Sequence, residues 1–263
     1  MFVTKNYKEK DNVFVLSELD QMYQYIDEGL ATINMILGNR FVKVMRPEAE
    51  KMKKDLNTLD EAVKQWVDVQ RQWCYLENIF SGGSIKTYLP EESKLFDQVN
   101  KNFLGLNQKA NRNPQALKLI RTSANIVEML KKQNDDLEKI QKKLELYVES
   151  KKEIFPRFYF LSFEDLIEIL SNSENKEKIS LHLKTLFDGI VALEFKDDVI
   201  VKMYSKEKEE VELSKVVKTR TAVESWLLAL ADEMKSTVLK RLKEGQKSYS
   251  DDTRKDWVLQ QPG

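Results

Sequence analysis

Glycine and proline are scarce, at 8 and 5 among 263 residues. Chain breaks are correspondingly few, so the secondary-structure elements should be long. The single cysteine, Cys74, excludes an internal disulfide and fits a reducing compartment. The single histidine, His182, excludes a two-histidine metal site. No glycine belongs to a G-x-x-x-x-G-K-S/T or G-x-G-x-x-G motif, so the familiar phosphate cradles are missing. Charge of one sign is lacking too. With 43 cations against 43 anions, the chain has no basic excess with which to neutralise a nucleic acid. No apolar run approaches the ~20 residues that span a bilayer, and no secretory signal is visible at Met1. The expected setting is the cytosol, with neither nucleic acid nor membrane as partner.

What the chain does have is charge and period. A third of the residues are charged (33%), which suits long helices with solvated faces. From Ser17, the residues Leu19, Met22, Tyr23, Ile26, Leu30, Ile33 and Ile36 recur at threes and fours and predict an amphipathic helix ending near Gly38 and Asn39. A longer helix should start after Pro47, since proline is tolerated in a first turn. Its apolar positions are Met52, Leu56, Leu59, Val63 and Trp66, then Trp73 and Phe80, a narrow seam of coiled-coil type. Trp66, Trp73 and Phe80 are therefore read as core. "SGGS" (Ser81 to Ser84) ends that helix, and "LPEESKLFDQVNKNF" opens another at Pro90. After "NRNP", a helix should run from Pro114 to Lys152, with Leu130, Leu137 and Leu144 at sevens and Ile126, Ile140 and Tyr147 filling the stripe.

Ser162 stands three residues before Asp165 and marks a further helix start. The period then shortens. "DDVIVKMYS" and "EEVELSKVV", around the turn Lys206 to Glu209, predict a β-hairpin at about 199–217. The helical period returns through Val223, Trp226, Leu227, Leu230 and Met234. The expected fold is mainly α, with elongated antiparallel helical bundles and one small β-hairpin. It divides into an N-terminal helical part, 1–154, and a C-terminal helical part with the hairpin, 155–263.

No constellation of catalytic groups emerges. His182 lies in an apolar helical stripe and reads as a partly buried structural histidine. Cys74, between Trp73 and Tyr75, reads as an inert packed thiol, because reactive thiolates need open, electropositive surroundings. Acidic pairs such as Asp135–Asp136 and Asp251–Asp252 read as solvated surface. The segment "FPRFYFLS" is the exception to this blandness. Pro156 must turn the chain, and Phe155, Phe158, Tyr159 and Phe160 should fill the corner, with Arg157 among them. Each ring can bury ~150–250 Å². Such a corner reads first as a stiff structural joint (Phe155 to Phe160), and second as a partner surface.

Several stretches then acquire a common meaning. "VQRQWCYLENIF" (Val69 to Phe80), "LPEESKLF" (Leu89 to Phe96), "KKEIFPRFYFLS", "DLIEILS", "HLKTLFDGI", "MYSKEKEEVEL" and "VESWLLALADEM" follow one another in the order found in dynein heavy chains. Together they resemble the linker region just ahead of the AAA+ ATPase ring, from about Leu16 to Gly263. "DWVLQQPG" resembles the end of that region, although Gln261 stands where the family usually has tryptophan. Lys208 replaces a glycine frequent in the hairpin turn.

The resemblance implies a mechanical lever with no catalytic residue, metal or cofactor of its own. ATP and Mg would sit in the ring of the full-length motor ATPase. It implies as partners the AAA+ ring of the same heavy chain and, through the whole motor, intermediate and light chains and the microtubule. The outward face of the hairpin, Lys202 and Tyr204 with Glu210 and Glu212, is the expected ring contact. The implied location is the cytoplasm and cytoskeleton, and the glycine-poor, lysine-rich style points to a ciliary, axonemal member. The competing reading is a spectrin-like helical scaffold or tether that only binds partners.

Overall fold

The computed structural model describes residues 1–8, 10, 12–81, 85–123, 125–249 and 253–260. The "SGGS" break beyond Ser81, the Asp251–Asp252 pair and Gln261 lie outside them. The fold is mainly α, and the chain forms two compact units, Met1–Gly82 with Lys86–Leu144, and Gly83–Ile85 with Glu145–Gly263. No helix among the described residues is long and apolar enough to cross a membrane.

The first unit is built on α1 (Leu19–Gly38) and α2 (Arg46–Phe80). Proline in the first turn opens α2, where its missing N–H costs nothing. In α1 the stripe turns Met22, Ile26 and Ile33 inward, but Ile36, expected in that stripe, stands exposed at the helix end. The short α3 (Ile85–Tyr88) precedes α4 (Pro90–Arg112), also opened by a proline. Next come α5 (Ala116–Thr122) and α6 (Ile126–Ile154).

The single helix expected between Pro114 and Lys152 is therefore two. The break falls where Asn125 takes a left-handed φ of 57°, a conformation asparagine tolerates better than most residues. Beyond it, Ile126, Leu130, Leu137, Ile140 and Leu144 are buried as a stripe.

A hairpin not foreseen from the sequence closes the first unit. β1 (Val3–Asn6) pairs antiparallel with β2 (Phe14–Ser17), with Val3 opposite Ser17 and Asn6 opposite Phe14. Gln70 on α2 serves as a surrogate strand for β2. Its side-chain oxygen accepts from the Leu16 N–H (2.7 Å), and its amide donates to the Leu16 carbonyl (3.0 Å). That satisfies two backbone groups which burial would otherwise strand.

The second unit holds the end of α6, then α7 (Phe163–Ser171), α8 (Lys176–Leu181) and α9 (Leu183–Leu186). The Ser162 cap forms as expected: its Oγ accepts from the Asp165 N–H (3.1 Å) and donates to the Asp165 carboxylate (2.7 Å). The hairpin has a third strand. β3 (Ala192–Lys196), β4 (Val199–Tyr204) and β5 (Glu210–Lys218) form an antiparallel sheet in that order. One face, with Ile200, Met203, Leu213 and Val217, is buried and packs on α10 (Val223–Ser248), followed by α11 (Arg254–Gln260).

The register between β4 and β5 shifts between Ile200 and Lys202. The freed N–H groups of Ser214 and Lys215 donate to Thr237 Oγ1 (2.9 Å) and Glu233 Oε1 (2.8 Å) of α10. The helix thus repairs the ladder that the bulge interrupts.

In the β4–β5 turn Lys208 has φ 70°. A side chain with a Cβ there costs roughly 1 kcal/mol or more, and glycine would relieve it. Lys208→Gly is therefore expected to stabilise the protein by about 0.5–1 kcal/mol, seen as a higher urea midpoint. An unchanged or lower midpoint would contradict this account of the turn.

Candidate functional site

Three groups of residues could carry function: the α2 seam, the aromatic corner and the outward face of the sheet. In the seam, Trp66, Trp73 and Phe80 are all buried. Their seven-residue spacing returns each to nearly the same side of α2. Trp66 Nε1 donates to Asn107 Oδ1 and Trp73 Nε1 to Asn100 Oδ1, both at 2.9 Å. Phe80 stacks on Phe96 with ring centroids 5.1 Å apart. The partners descend along α4 as the seam ascends α2, so the two helices are antiparallel and joined by successive rungs. Asn100 and Asn107 were not anticipated. In sequence they look like ordinary polar residues on a helix, and only an indole N–H across the seam gives them a purpose.

Beside this seam lies a charged knot. Lys10 contacts the buried Glu77 at 2.5 Å, Lys8 lies 3.6 Å from the same carboxylate, and Ser81 Oγ donates to it at 2.8 Å. Burial works to raise the Glu77 carboxyl, but the hydrogen bonds from Lys10 and Ser81 outweigh it and hold the group below its ordinary 4.5. A depressed folded value means the ionised form is favoured by folding. The contribution is complete at pH values above the unfolded value and is lost as pH falls through the folded one. Glu77→Gln should therefore flatten the fall in stability below about pH 4.5, measured as urea midpoint against pH. A parallel acid limb in the variant would refute the assignment. Burial also pushes the nearby Cys74 thiol up, consistent with an inert thiol.

The corner is only half as filled as expected. α6 ends at Ile154, and Pro156–Phe160 is a 3₁₀ turn. With about three residues per turn, such a segment turns positions 155 and 158 to one side. Phe155 and Phe158 are fully buried, edge to face at 5.0 Å, and Phe155 also meets Phe187 at 6.2 Å. Tyr159 and Phe160 point away and are 56% and 66% exposed, which corrects the expectation that all four rings fill the corner. The Tyr159 hydroxyl donates to Glu149, and Lys152 lies 5.1 Å over the Tyr159 ring. Arg157 donates to the Leu186 carbonyl (2.8 Å) and stacks on Phe187 at 5.0 Å.

On the sheet, Lys202 pairs across the strands with Glu212, and Tyr204 with Glu210, so the four side chains share the face opposite α10. Glu194 of β3, absent from the sequence reading, joins them. It accepts from the Tyr204 hydroxyl (2.9 Å) and lies 4.0 Å from Lys202, which is also paired to Glu210. The Glu210 hydrogen bond raises the Lys202 ammonium, and the Glu194 hydrogen bond raises the Tyr204 phenol. The face is a net of opposite charges, with Glu210 and Glu212 exposed and Lys202, Tyr204 and Glu194 half-buried, suited to contact and not to proton transfer.

His182 is half-buried, with Nε2 3.7 Å from the Glu168 carboxylate. One ligand atom from each of Asp165, Glu168 and His182 lies within 4.8 Å of the others. Lys178, 3.9 Å from Glu168, already offers that cluster a cation.

Residues 1–245 match the family model described as dynein heavy chain, N-terminal region 2. The chain is 34% identical over 255 residues to dynein axonemal heavy chain 12 of Rattus norvegicus, covering 95% of this chain and 8% of that protein. It is 32% identical over 278 residues to dynein axonemal heavy chain 6 of Homo sapiens, covering 98% and 7%. Against dynein axonemal heavy chain 2 of Mus musculus the identity is 36% over 239 residues, covering 88% and 5%. The chain thus spans less than a tenth of the length of these relatives.

Proposed function

This chain belongs to the dynein heavy chain family, and from that premise we propose that it is the mechanical linker of such a motor. It acts as a lever that couples ATP hydrolysis in an AAA+ ring to movement along microtubules. The family match across residues 1–245 carries the reading. The buried seams support it, because a lever must keep its shape while strain passes through it. In this reading the segment turns over no ATP itself, and the nucleotide and its Mg belong to the ring of the whole heavy chain. The outward sheet face, with Lys202, Tyr204, Glu210 and Glu212 joined by Glu194, meets that ring. Intermediate and light chains and the microtubule are reached through the rest of the motor. The names of the three relatives support a cilium axoneme as the place of work.

The test belongs in the full heavy chain. Replacing Lys202, Tyr204, Glu210 and Glu212 together by alanine should leave ATP turnover intact and slow microtubule gliding. The isolated segment should stay folded with a modestly lower unfolding midpoint, since Glu210 and Glu212 are exposed and Lys202 and Tyr204 half-buried. Gliding at the parental speed would remove the face from the coupling path. Loss of ATP turnover would instead make the segment part of the catalytic machinery.

A further inference from the structure

The buried stripe of α6 contains one polar residue. Gln133 falls between Leu130 and Leu137, at the alternation of four and three that also places Ile126, Ile140 and Leu144. It is 3% exposed, and neither its Oε1 nor its Nε2 has a hydrogen-bond partner among the described residues. Two other buried amide atoms of the first unit are left over in the same way, Asn107 Nδ2 on α4 and Gln72 Oε1 on α2. The remaining atoms of this kind, Ser171 Oγ and Thr219 Oγ1, belong to the second unit. Hydrogen bonds on either side set the three amides at one level. Asn134, next to Gln133, donates through Nδ2 to the Gln65 carbonyl (3.1 Å) and to Gln65 Oε1 (2.9 Å), and it accepts from Gln72 Nε2 (3.3 Å). Trp66, next to Gln65, donates to Asn107. At Gln133, α6 therefore stands beside the part of α2 that holds Asn107.

We propose that these four atoms are the ends of one buried hydrogen-bonded chain, closed by internal water, which fixes the register of α6 against α2 and α4. The chemistry balances. Asn107 Nδ2 and Gln133 Nε2 are donors, and Gln133 Oε1 and Gln72 Oε1 are acceptors. One water between Asn107 and Gln133, and another between Gln133 and Gln72, give each of them a partner. Waters that bridge buried polar groups are an ordinary part of protein cores, at one per ~27 residues, whereas four unpaired amide atoms at one level of a core are rare. The chain then runs from the Trp66 indole through Asn107, Gln133 and Gln72 to Asn134, and it touches all three helices. A polar residue at a core position lowers stability and dictates alignment. One turn of slip, about 5.4 Å, would carry the Gln133 amide away from both counterparts and strand all four atoms. The lock lies within the first unit and stands independently of the lever reading.

Gln133→Met keeps the length of the side chain and removes its amide. If the chain exists, the substitution strands Asn107 Nδ2 and Gln72 Oε1. The urea midpoint should then fall, and backbone amides of residues 126–144 should exchange with deuterium at least ~10-fold faster, about 1.4 kcal/mol. If the Gln133 amide is instead unpaired, the same substitution relieves a buried polar group and raises the midpoint. A raised or unchanged midpoint would therefore overturn the proposal. So would faster exchange spread evenly over α2, α4 and α6, which is lost stability without a lock on α6. The link to α2 is read from a double-mutant cycle. Gln72→Met should lessen the damage done by Gln133→Met, and additive losses would remove Gln72 from the chain. The water is sought directly by NMR, as a rotating-frame cross-peak between water and the Gln133 side-chain amide protons. Without that cross-peak, closure by water is wrong.

Discussion

Trp66→Ala is expected to cost about 3–5 kcal/mol, the range for emptying a buried site of a large aromatic. Two losses combine. The indole leaves a void against Phe2, whose ring lies 5.2 Å away, and the buried Asn107 Oδ1 loses its donor. Stranding such an acceptor costs ~1–3 kcal/mol by itself. At about 2–4 °C per kcal/mol for a protein of this size class, melting should fall by roughly 10 °C. Trp66→Phe restores the ring but not the N–H, so it should lie between the two. Circular dichroism at a helix wavelength against urea checks all three proteins. A midpoint for Trp66→Ala that converts to less than about 1 kcal/mol would remove the seam as a principal source of stability.

Phe158→Ala should cost a similar ~3–5 kcal/mol, whereas Phe160→Ala, two positions on, should stay within about 0.5 kcal/mol. The contrast is the test, because the sequence offers no reason to rank one phenylalanine above the other. Phe158 is fully buried against Phe155, and Phe160 is mostly in water. On the lever proposal, a slackened corner in the full heavy chain is expected to leave ATP turnover while reducing the movement obtained from it. Equal unfolding midpoints for the two variants would mean that the corner does not hold the chain as described.

The long helices were legible because few glycines or prolines interrupt them and their apolar residues recur at threes and fours over many turns. Two signals failed. Strands of four or five residues, such as β1, β2 and β3, offer too few alternations to be told from loop, and β2 owes its place to a glutamine on α2. The break between α5 and α6 lacks glycine and proline and depends on one asparagine in a left-handed conformation. At the sites, apolar members were easier to find than their polar partners. Trp66 and Trp73 announce themselves by spacing, but Asn100 and Asn107 are recognisable only once the helices are set side by side. Glu194 likewise joins Lys202 and Tyr204 through a strand that the sequence had not disclosed. The four rings of the corner looked equivalent because a helix and a 3₁₀ turn distribute neighbouring residues differently.

The indole-to-asparagine rungs between α2 and α4 have a consequence for load. Seven residues of helix occupy about 10.5 Å, so neighbouring rungs are that far apart along the axis. If one helix slid past the other by a single turn, each indole would face the wrong residue, and both hydrogen bonds would fail together. The pair therefore resists shear as a ratchet with one tooth position, and a pull along its axis should be borne without creep until it gives way all at once.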